Sequence, residues 1–196
     1  MHRQHVLVAS VILSALALTS CLPEMTAEKL KEMMSKKPAE LEKLNVFAGK
    51  WADIGKANIL GLDIETTFTS DTKWGGNGWY LVFTRNFTME GFDDVEFVET
   101  WTYDQHDKVY RYVWVDSMGS SGFGKAWLDE RINTWQIRGS SHGSFGPTKM
   151  TGWIKFIDDN TIEWKSTEYA YGLIKIMELT GTSRRVNVRT SAALSP

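Results

Sequence analysis

The sequence predicts an all-β protein, an antiparallel up-and-down β-barrel of about ten strands that follows a short N-terminal helical segment. From Phe47 onward, apolar and polar residues alternate with period two, and clusters of Gly, Asn and Asp separate the alternating runs. No run with helical period lies between them, so a parallel α/β sheet is not expected. Twist and unpaired edges disfavour a flat sheet of that size, which favours closure into a barrel. A two-sheet sandwich with a filled core is the alternative.

The composition is that of an ordinary globular protein. The 196 residues include 22 basic and 24 acidic side chains, for a formal net charge of -2, and 42% of them are hydrophobic. These values exclude a disordered chain, a collagen-like fibre and a multi-span membrane protein, and the lack of a basic excess argues against nucleic-acid binding. The single cysteine excludes a disulfide framework and a multi-cysteine metal site.

Residues 1–20 have the pattern of a signal peptide. A basic start with Arg3 precedes an uncharged apolar run over residues 6–18, which is too short to span a membrane. The run ends in Leu-Thr-Ser before Cys21 and resembles the bacterial lipobox, in which the cysteine is lipidated and becomes the new N-terminus. A plain secretory leader with an incidental cysteine is the alternative. Leu22, by resemblance to enterobacterial sorting signals, favours the outer membrane. We therefore expect a periplasm-facing protein of the bacterial cell envelope, anchored to the membrane through Cys21.

Residues 21–45 are expected to hold the lipidated cysteine, a linker and short helices. Thr26 can cap a first helix, and Pro38 can begin a second helical turn. The apolar residues that recur at helical spacing are Leu30, Met33, Met34, Leu41 and Leu44. The segment closes one end of the β-structure, or it is a spacer from the membrane, or it does both.

Residues 46–186 are predicted to form the barrel, and residues 187–196 a C-terminal tail. The predicted strands cover residues 50–59, 62–72, 79–87, 95–103, 109–115, 121–128, 133–139, 146–157, 160–168 and 172–183. In the strand at 109–115, valines alternate with large aromatic residues. Both faces of that strand are therefore bulky and apolar, and the pattern does not show which face is inside.

Four segments together resemble a known family. They are Phe47-Ala-Gly49-Lys-Trp51, Glu99-Thr-Trp-Thr-Tyr-Asp104, Tyr112-Val-Trp-Val-Asp-Ser117 and Thr182-Ser-Arg184-Arg185. Over residues 40–186 the chain resembles the bacterial "domain of unknown function 1579" proteins, which are similar in shape to the lipocalin and fatty-acid-binding barrels, that is, calycin-like. That family implies no established activity.

The start of the barrel is similar to the lipocalin G-x-W motif, with Gly49 and Trp51 in its two fixed positions. The resemblance implies that Arg184 or Arg185 packs over the Trp51 indole at the barrel floor, which is a structural role. The second and third lipocalin motifs have no recognisable counterpart here, so the resemblance implies no lipocalin ligand.

Three charged residues lie in strands with apolar neighbours. Arg85 shares a strand face with Phe83, Glu99 shares one with Trp101, and Arg111 lies between two valines. If these faces point inward, the charges must pair with one another, meet water or anchor a ligand headgroup. Resemblance to fatty-acid-binding barrels implies the last role for the arginines. A shift of register by one residue would place the charges in solvent instead. These five residues are the candidate ligand-binding set.

No catalytic or metal-binding constellation is evident in the sequence. His106 lies in a polar turn and His142 in a Gly/Ser-rich stretch with the composition of a loop, and neither has another histidine or cysteine nearby. Haem ligation by His142, as in some related barrels, is a minor alternative, and we expect no metal and no cofactor. Ser117, His142 and Asp116 could form a triad on paper, but the nucleophile-elbow motif is absent. Glycine-rich nucleotide-binding motifs are absent as well.

The leading hypothesis is a membrane-anchored lipoprotein whose barrel binds a small, largely apolar or amphiphilic molecule. It depends on the lipobox, the strand count and an aromatic content of nine Trp, nine Phe and six Tyr. One alternative is a barrel enzyme, an isomerase or a hydrolase, with Glu99 or Asp116 as a buried base beside an arginine. The other is an envelope interaction module with a filled core and an exposed aromatic patch. The ligand and the oligomeric state stay open.

Overall fold

The computed structural model describes residues 25–91 and 93–186, and it divides the chain into two units with their boundary between Lys37 and Pro38. The predicted signal peptide, Cys21 with its predicted lipidation, and the predicted C-terminal tail lie outside the described residues.

From residue 25 onward, the first unit contains one short helix, α1 (Ala27–Ser35). The Thr26 hydroxyl accepts a hydrogen bond from the Lys29 backbone N–H at 3.2 Å, so the predicted cap is confirmed. Glu28 lies in the first turn, where the helix dipole favours an acidic residue. In the described part of the chain, no helix combines the length and the apolar character that crossing a membrane requires.

The second unit begins with a 3₁₀ segment, Ala39–Phe47, and continues as ten strands. The strands are β1 (Gly49–Ile59), β2 (Leu62–Gly75), β3 (Tyr80–Met89), β4 (Val95–Asp104), β5 (Val109–Asp116), β6 (Ser121–Asp129), β7 (Thr134–Gly143), β8 (Gly146–Asp158), β9 (Thr161–Ala170) and β10 (Ile174–Arg185). Each predicted run forms one of these strands.

The sheet closes on itself. Every strand pairs antiparallel with its neighbours in the chain, and β1 pairs with β10 from Trp51 opposite Arg185 to Ile59 opposite Met177. The up-and-down barrel prediction is confirmed, and the sandwich alternative is excluded. Irregularities of register in β8 and β10 supply local bends, which a closed sheet needs.

The 3₁₀ segment plugs one end of the barrel, which we call the floor. Leu41 and Leu44 are fully buried there. The Phe47 ring lies 5.1–5.8 Å from four other rings, which are those of Phe83, Trp101, Trp135 and Phe156. Hydrogen bonds from Tyr110 Oη to the Glu40 carbonyl and from Trp74 Nε1 to Asn45 Oδ1, both 2.8 Å, fix the plug. Residues 39–45 therefore fold with the barrel and close one of its ends.

Gly49, Trp51 and Arg185 form one unit at the floor. The Arg185 guanidinium lies 4.2 Å from the centre of the Trp51 ring, and it also donates hydrogen bonds to the carbonyls of Val46 and Ala48. The Trp51 Nε1 donates to the Phe47 carbonyl at 2.9 Å. Gly49 has φ +118, and a Cβ there would lie 2.7 Å from the Arg185 guanidinium, so only glycine fits. Arg184, by contrast, is exposed on the opposite face of β10.

Candidate functional site

A cavity of about 580 Å³ extends from the floor towards the other end of the barrel, which we call the mouth. Aromatic rings form much of its wall, among them Phe68, Phe83, Phe87, Phe97, Trp114 and Trp164. A filled core, which the interaction-module hypothesis requires, is therefore not observed. A concave site of this volume with mainly apolar walls suits a small molecule.

Arg85 and Glu99 face into this cavity, as one of the two predicted registers requires. An Arg85 guanidinium nitrogen lies 3.1 Å from Glu99 Oε2, and the Glu99 side chain is only 8% exposed. The guanidinium carbon lies 5.0 Å from the centre of the Phe83 ring and 5.4 Å from that of Phe97. Burial raises the pKa of Glu99, and the positive charge of Arg85 opposes that shift. The two candidates thus pair with each other, and Phe83 and Trp101 lie beside them on the cavity wall.

Arg111 lies on the outside of the barrel, so the expectation that it faces the cavity is wrong. Its guanidinium forms ion pairs with Asp104 and Asp107, each at 2.5 Å. The inward positions of β5 are held by its aromatic residues, Tyr110, Tyr112 and Trp114. Large rings bury more apolar surface than valines do, so they take the inside and turn Arg111 towards solvent.

Asp53 is a buried acid that the sequence reasoning missed. It lies on β1 two residues after Trp51, lines the cavity and is 9% exposed. Its Oδ1 has no hydrogen-bond donor among the described residues. Burial raises its pKa, while a hydrogen bond with Ser183 and the charge of Arg85 oppose the shift. Because side chains alternate along a strand, the matching parity of Asp53 and Trp51 was the signal that could have revealed it.

A second polar cluster lies on the opposite wall, nearer the mouth. Ser141 Oγ and Thr148 Oγ1 lie within hydrogen-bond distance of Glu168 Oε2, at 3.2 Å and 3.0 Å, and of each other, so their two protons are shared among these three oxygens. Burial raises the pKa of Glu168, and hydrogen bonding from the two hydroxyl groups opposes the rise. All three residues line the cavity, and the sequence reasoning missed them too.

The stretch around His142 is a strand rather than a loop. Residues 139–143 belong to β7, and a turn of two residues, Ser144 and Phe145, leads directly into β8. His142 is exposed and lies at the mouth of the cavity. The expectation of a loop there is therefore wrong. His106 is exposed in the turn between β4 and β5, as predicted.

Two residues of the hypothetical triad, Asp116 and Ser117, have structural roles at the turn between β5 and β6. Asp116 Oδ1 accepts hydrogen bonds from the backbone N–H groups of Met118 and Ser120, both at 2.9 Å. The Ser117 hydroxyl accepts one from the Glu96 N–H at 3.0 Å. Within residues 25–91 and 93–186, no cluster of three or more His, Cys, Asp or Glu side chains is placed to hold a metal ion.

Comparison with known proteins supports the fold and gives a family without a known activity. The family described as "Protein of unknown function (DUF1579)" matches residues 37–180 of the chain. No curated protein is similar enough in sequence to count as a relative.

Solved barrels of similar shape are only distantly related in sequence. Rv2717c from M. tuberculosis is 11% identical, with a TM-score of 0.59 over 78% of this chain and 100% of that chain. The S-type phycobiliprotein lyase CPES from Guillardia theta is 8% identical, with a TM-score of 0.53 over 74% of this chain and 92% of that chain. EF1p2_mFAP2b bound to DFHBI is 13% identical, with a TM-score of 0.44 over 74% and 98%. The first two similarities show a shared barrel fold alone.

Proposed function

The chain belongs to the DUF1579 family of proteins of unknown function, and from that premise we propose that it is an exported lipoprotein whose barrel binds a small, largely apolar or amphiphilic molecule. The observation that carries the binding proposal is the cavity of about 580 Å³ inside a closed barrel. The lipobox-like sequence before Cys21 carries the proposal of an anchor in the bacterial envelope, facing the periplasm.

The cavity wall has contacts for both the apolar and the polar part of an amphiphile. Its aromatic rings offer an apolar surface, and each CH₂ group moved from water onto such a surface contributes about 0.8 kcal/mol. Its polar groups are few and lie at separate depths, with Asp53, Arg85 and Glu99 above the floor and Glu168 nearer the mouth. A few placed polar groups in an apolar hollow are what fixes the orientation of a bound small molecule.

Native mass spectrometry after mild purification tests the binding proposal. We expect wild-type protein to carry a co-purifying apolar molecule or amphiphile that is released on denaturation. Met150→Trp adds an indole to the cavity wall and should lose that molecule. Ile54→Trp adds the same ring on the outer face, where Ile54 is 71% exposed, and should keep it. Bare protein in every preparation, together with no binding of apolar probes, would reject the proposal.

The anchor is tested separately. Cells that express the protein should incorporate labelled palmitate into it and retain it in the membrane fraction. Cys21→Ala removes the only thiol of the chain and should abolish the label and release the protein. Label that persists in this variant would refute lipidation at Cys21 without affecting the binding proposal.

One observation favours a second candidate, a barrel enzyme of the isomerase or hydrolase class. Glu99 is a buried carboxyl whose pKa is raised by burial, beside the positive charge of Arg85, and a carboxyl in such a setting is a candidate proton donor or acceptor. If the co-purifying molecule is converted by wild-type protein but not by Glu99→Gln, the enzyme is favoured. A molecule that both proteins return unchanged favours binding alone.

A further inference from the structure

Acidic residues outnumber lysines and arginines among the described residues that line the cavity. Asp53, Glu99 and Glu168 contribute carboxyl groups from three strands, and Asp116 adds one at the mouth. Arg85 is the one arginine in this lining, and no described lysine takes part in it. The wall therefore complements a cation better than an anion.

Arg85 is already engaged. Glu99 lies 3.1 Å from it, and the Phe83 and Phe97 rings flank its guanidinium. An anionic headgroup would compete with Glu99 for this guanidinium and would place a second negative charge beside a buried carboxyl group. The fatty-acid type of anchoring, which the resemblance implies for Arg85, is therefore unfavourable here.

Asp53 presents a hydrogen-bond acceptor that no described residue uses. Its Oδ1 has no donor in the described part of the chain, although the residue is 91% buried and lines the cavity. Such acceptors are rare in folded proteins because a buried polar atom without a partner has lost its hydrogen bonds to water and gained none in return. A ligand that donates a hydrogen bond to Oδ1 would replace one of those lost bonds.

A cluster of aromatic rings begins at the strand position opposite Asp53. Phe68 is paired with Asp53 across β1 and β2. The Phe68 ring lies 4.1 Å from that of Phe87 and 5.3 Å, edge to face, from that of Trp164. All three rings line the cavity, and ring faces attract a cation that lies within about 6 Å.

We propose that the ligand is an amphiphile with an ammonium group, whose nitrogen donates to Asp53 beside Phe68, Phe87 and Trp164 and whose apolar body extends towards the mouth. This inference rests on the proposed binding function and names the chemical class of its ligand. A positive nitrogen at this place would also offset the effect of burial on Asp53, which raises the pKa of that carboxyl.

Three probes of equal chain length test the inference, namely decylamine, 1-decanol and decanoate. Their dissociation constants for the wild-type protein are measured at pH 7 below the micellar range, by calorimetry and by intrinsic tryptophan fluorescence. We expect decylamine to bind at least tenfold more tightly than decanol, and decanoate to bind most weakly. Equal binding of amine and alcohol, or tighter binding of decanoate, would overturn the inference.

Single-residue variants then identify the side chain that recognises the amine. Asp53→Asn keeps the shape of the side chain and should reduce the preference for decylamine over decanol at least tenfold, with decanol affinity within twofold of wild type. Glu163→Gln removes a carboxylate from the exposed face of β9 and should change neither affinity. Glu168→Gln removes a carboxyl from the other wall of the cavity. A loss of preference in Glu168→Gln as large as in Asp53→Asn would show that net charge, not Asp53, selects the ligand, and would refute the assignment.

Different results would refute the binding function and the ammonium ligand. If none of the three probes binds, both the proposed function and this inference fail. If all three bind with similar strength, the binding function stands and the ammonium inference alone is refuted. Melting curves of each variant separate a loss of binding from a loss of folded protein.

Discussion

Replacing Arg85 by Met leaves the buried Glu99 without its partner, and the stability lost by the protein should depend on pH. At 3.1 Å and an effective dielectric constant of about 20, the pair has a gross attraction of about 5 kcal/mol. The variant can escape the unpaired charge if Glu99 takes up a proton. The loss is therefore limited by the free energy of that protonation.

The magnitude follows from the ordinary pKa of glutamate, which is 4.5. Protonation above that value requires about 1.36 kcal/mol per pH unit, so the limit is about 3.4 kcal/mol at pH 7 and about 0.7 kcal/mol at pH 5. The direction of this pH dependence, with the larger loss of stability at the higher pH, agrees with a Glu99 pKa that is raised in the folded state. Such a carboxyl contributes stability below its unfolded pKa, and that contribution is lost as the pH rises through the folded pKa.

Urea denaturation at both pH values measures the free energy of unfolding of wild type, Arg85→Met, Glu99→Gln and the double variant. We expect Arg85→Met to be destabilised by up to about 3.4 kcal/mol at pH 7 and by much less at pH 5. In the Glu99→Gln background no buried carboxylate is left without a partner. The loss of stability caused by Arg85→Met should therefore be small there and independent of pH. An equal loss at both pH values, or an equal loss in both backgrounds, would refute this reasoning.

Three further predictions concern the floor, the outer face and the cavity. Trp51→Ala removes a buried ring and should lower the free energy of unfolding by about 3–5 kcal/mol. Gly49→Ala should lower it by about 1–3 kcal/mol, because position 49 has a positive φ and a Cβ there would contact Arg185. An unchanged urea midpoint in either variant would contradict the described floor. Arg111→Met removes exposed ion pairs and should leave the urea midpoint nearly unchanged, whereas a loss of stability as large as that of Arg85→Met at pH 7 would contradict its position outside the barrel. Along a series from 1-octanol to 1-decanol, each added CH₂ should tighten binding about fourfold by calorimetry, and an affinity independent of chain length would contradict an apolar cavity.

The strand order was predictable because alternation and turn residues act locally. Each run of alternating residues ends at a Gly, Asn or Asp cluster, and ten such runs can only pair as neighbours or close on themselves. The choice of inner face was predictable only where one face is clearly more apolar. For the strands of Arg85 and Glu99 the pattern left two registers open, and the structure has the inward one. Strand β5 is bulky on both faces, and there the placement of Arg111 failed.

The Gly/Ser-rich end of β7 was expected to be a loop because the cause of small residues in β6 and β7 is not local. Gly124 and Gly139 lie against the Tyr112 hydroxyl, where a Cβ would approach to 2.4 Å and 2.3 Å. They are glycines because a large ring from β5 occupies the space above them, which a local pattern does not reveal. The same limit applies to the cavity itself. Whether rings fill a barrel or line a hollow depends on how they pack across it.

The most direct test of the central claim, that the barrel holds an accessible apolar hollow, is a crystal structure of the protein soaked with 1-bromodecane. We expect an anomalous bromine peak inside the barrel, within the volume bounded by Phe68, Phe97 and Trp164. A hollow closed by its own aromatic rings, with bromine only on the outer surface, would contradict it.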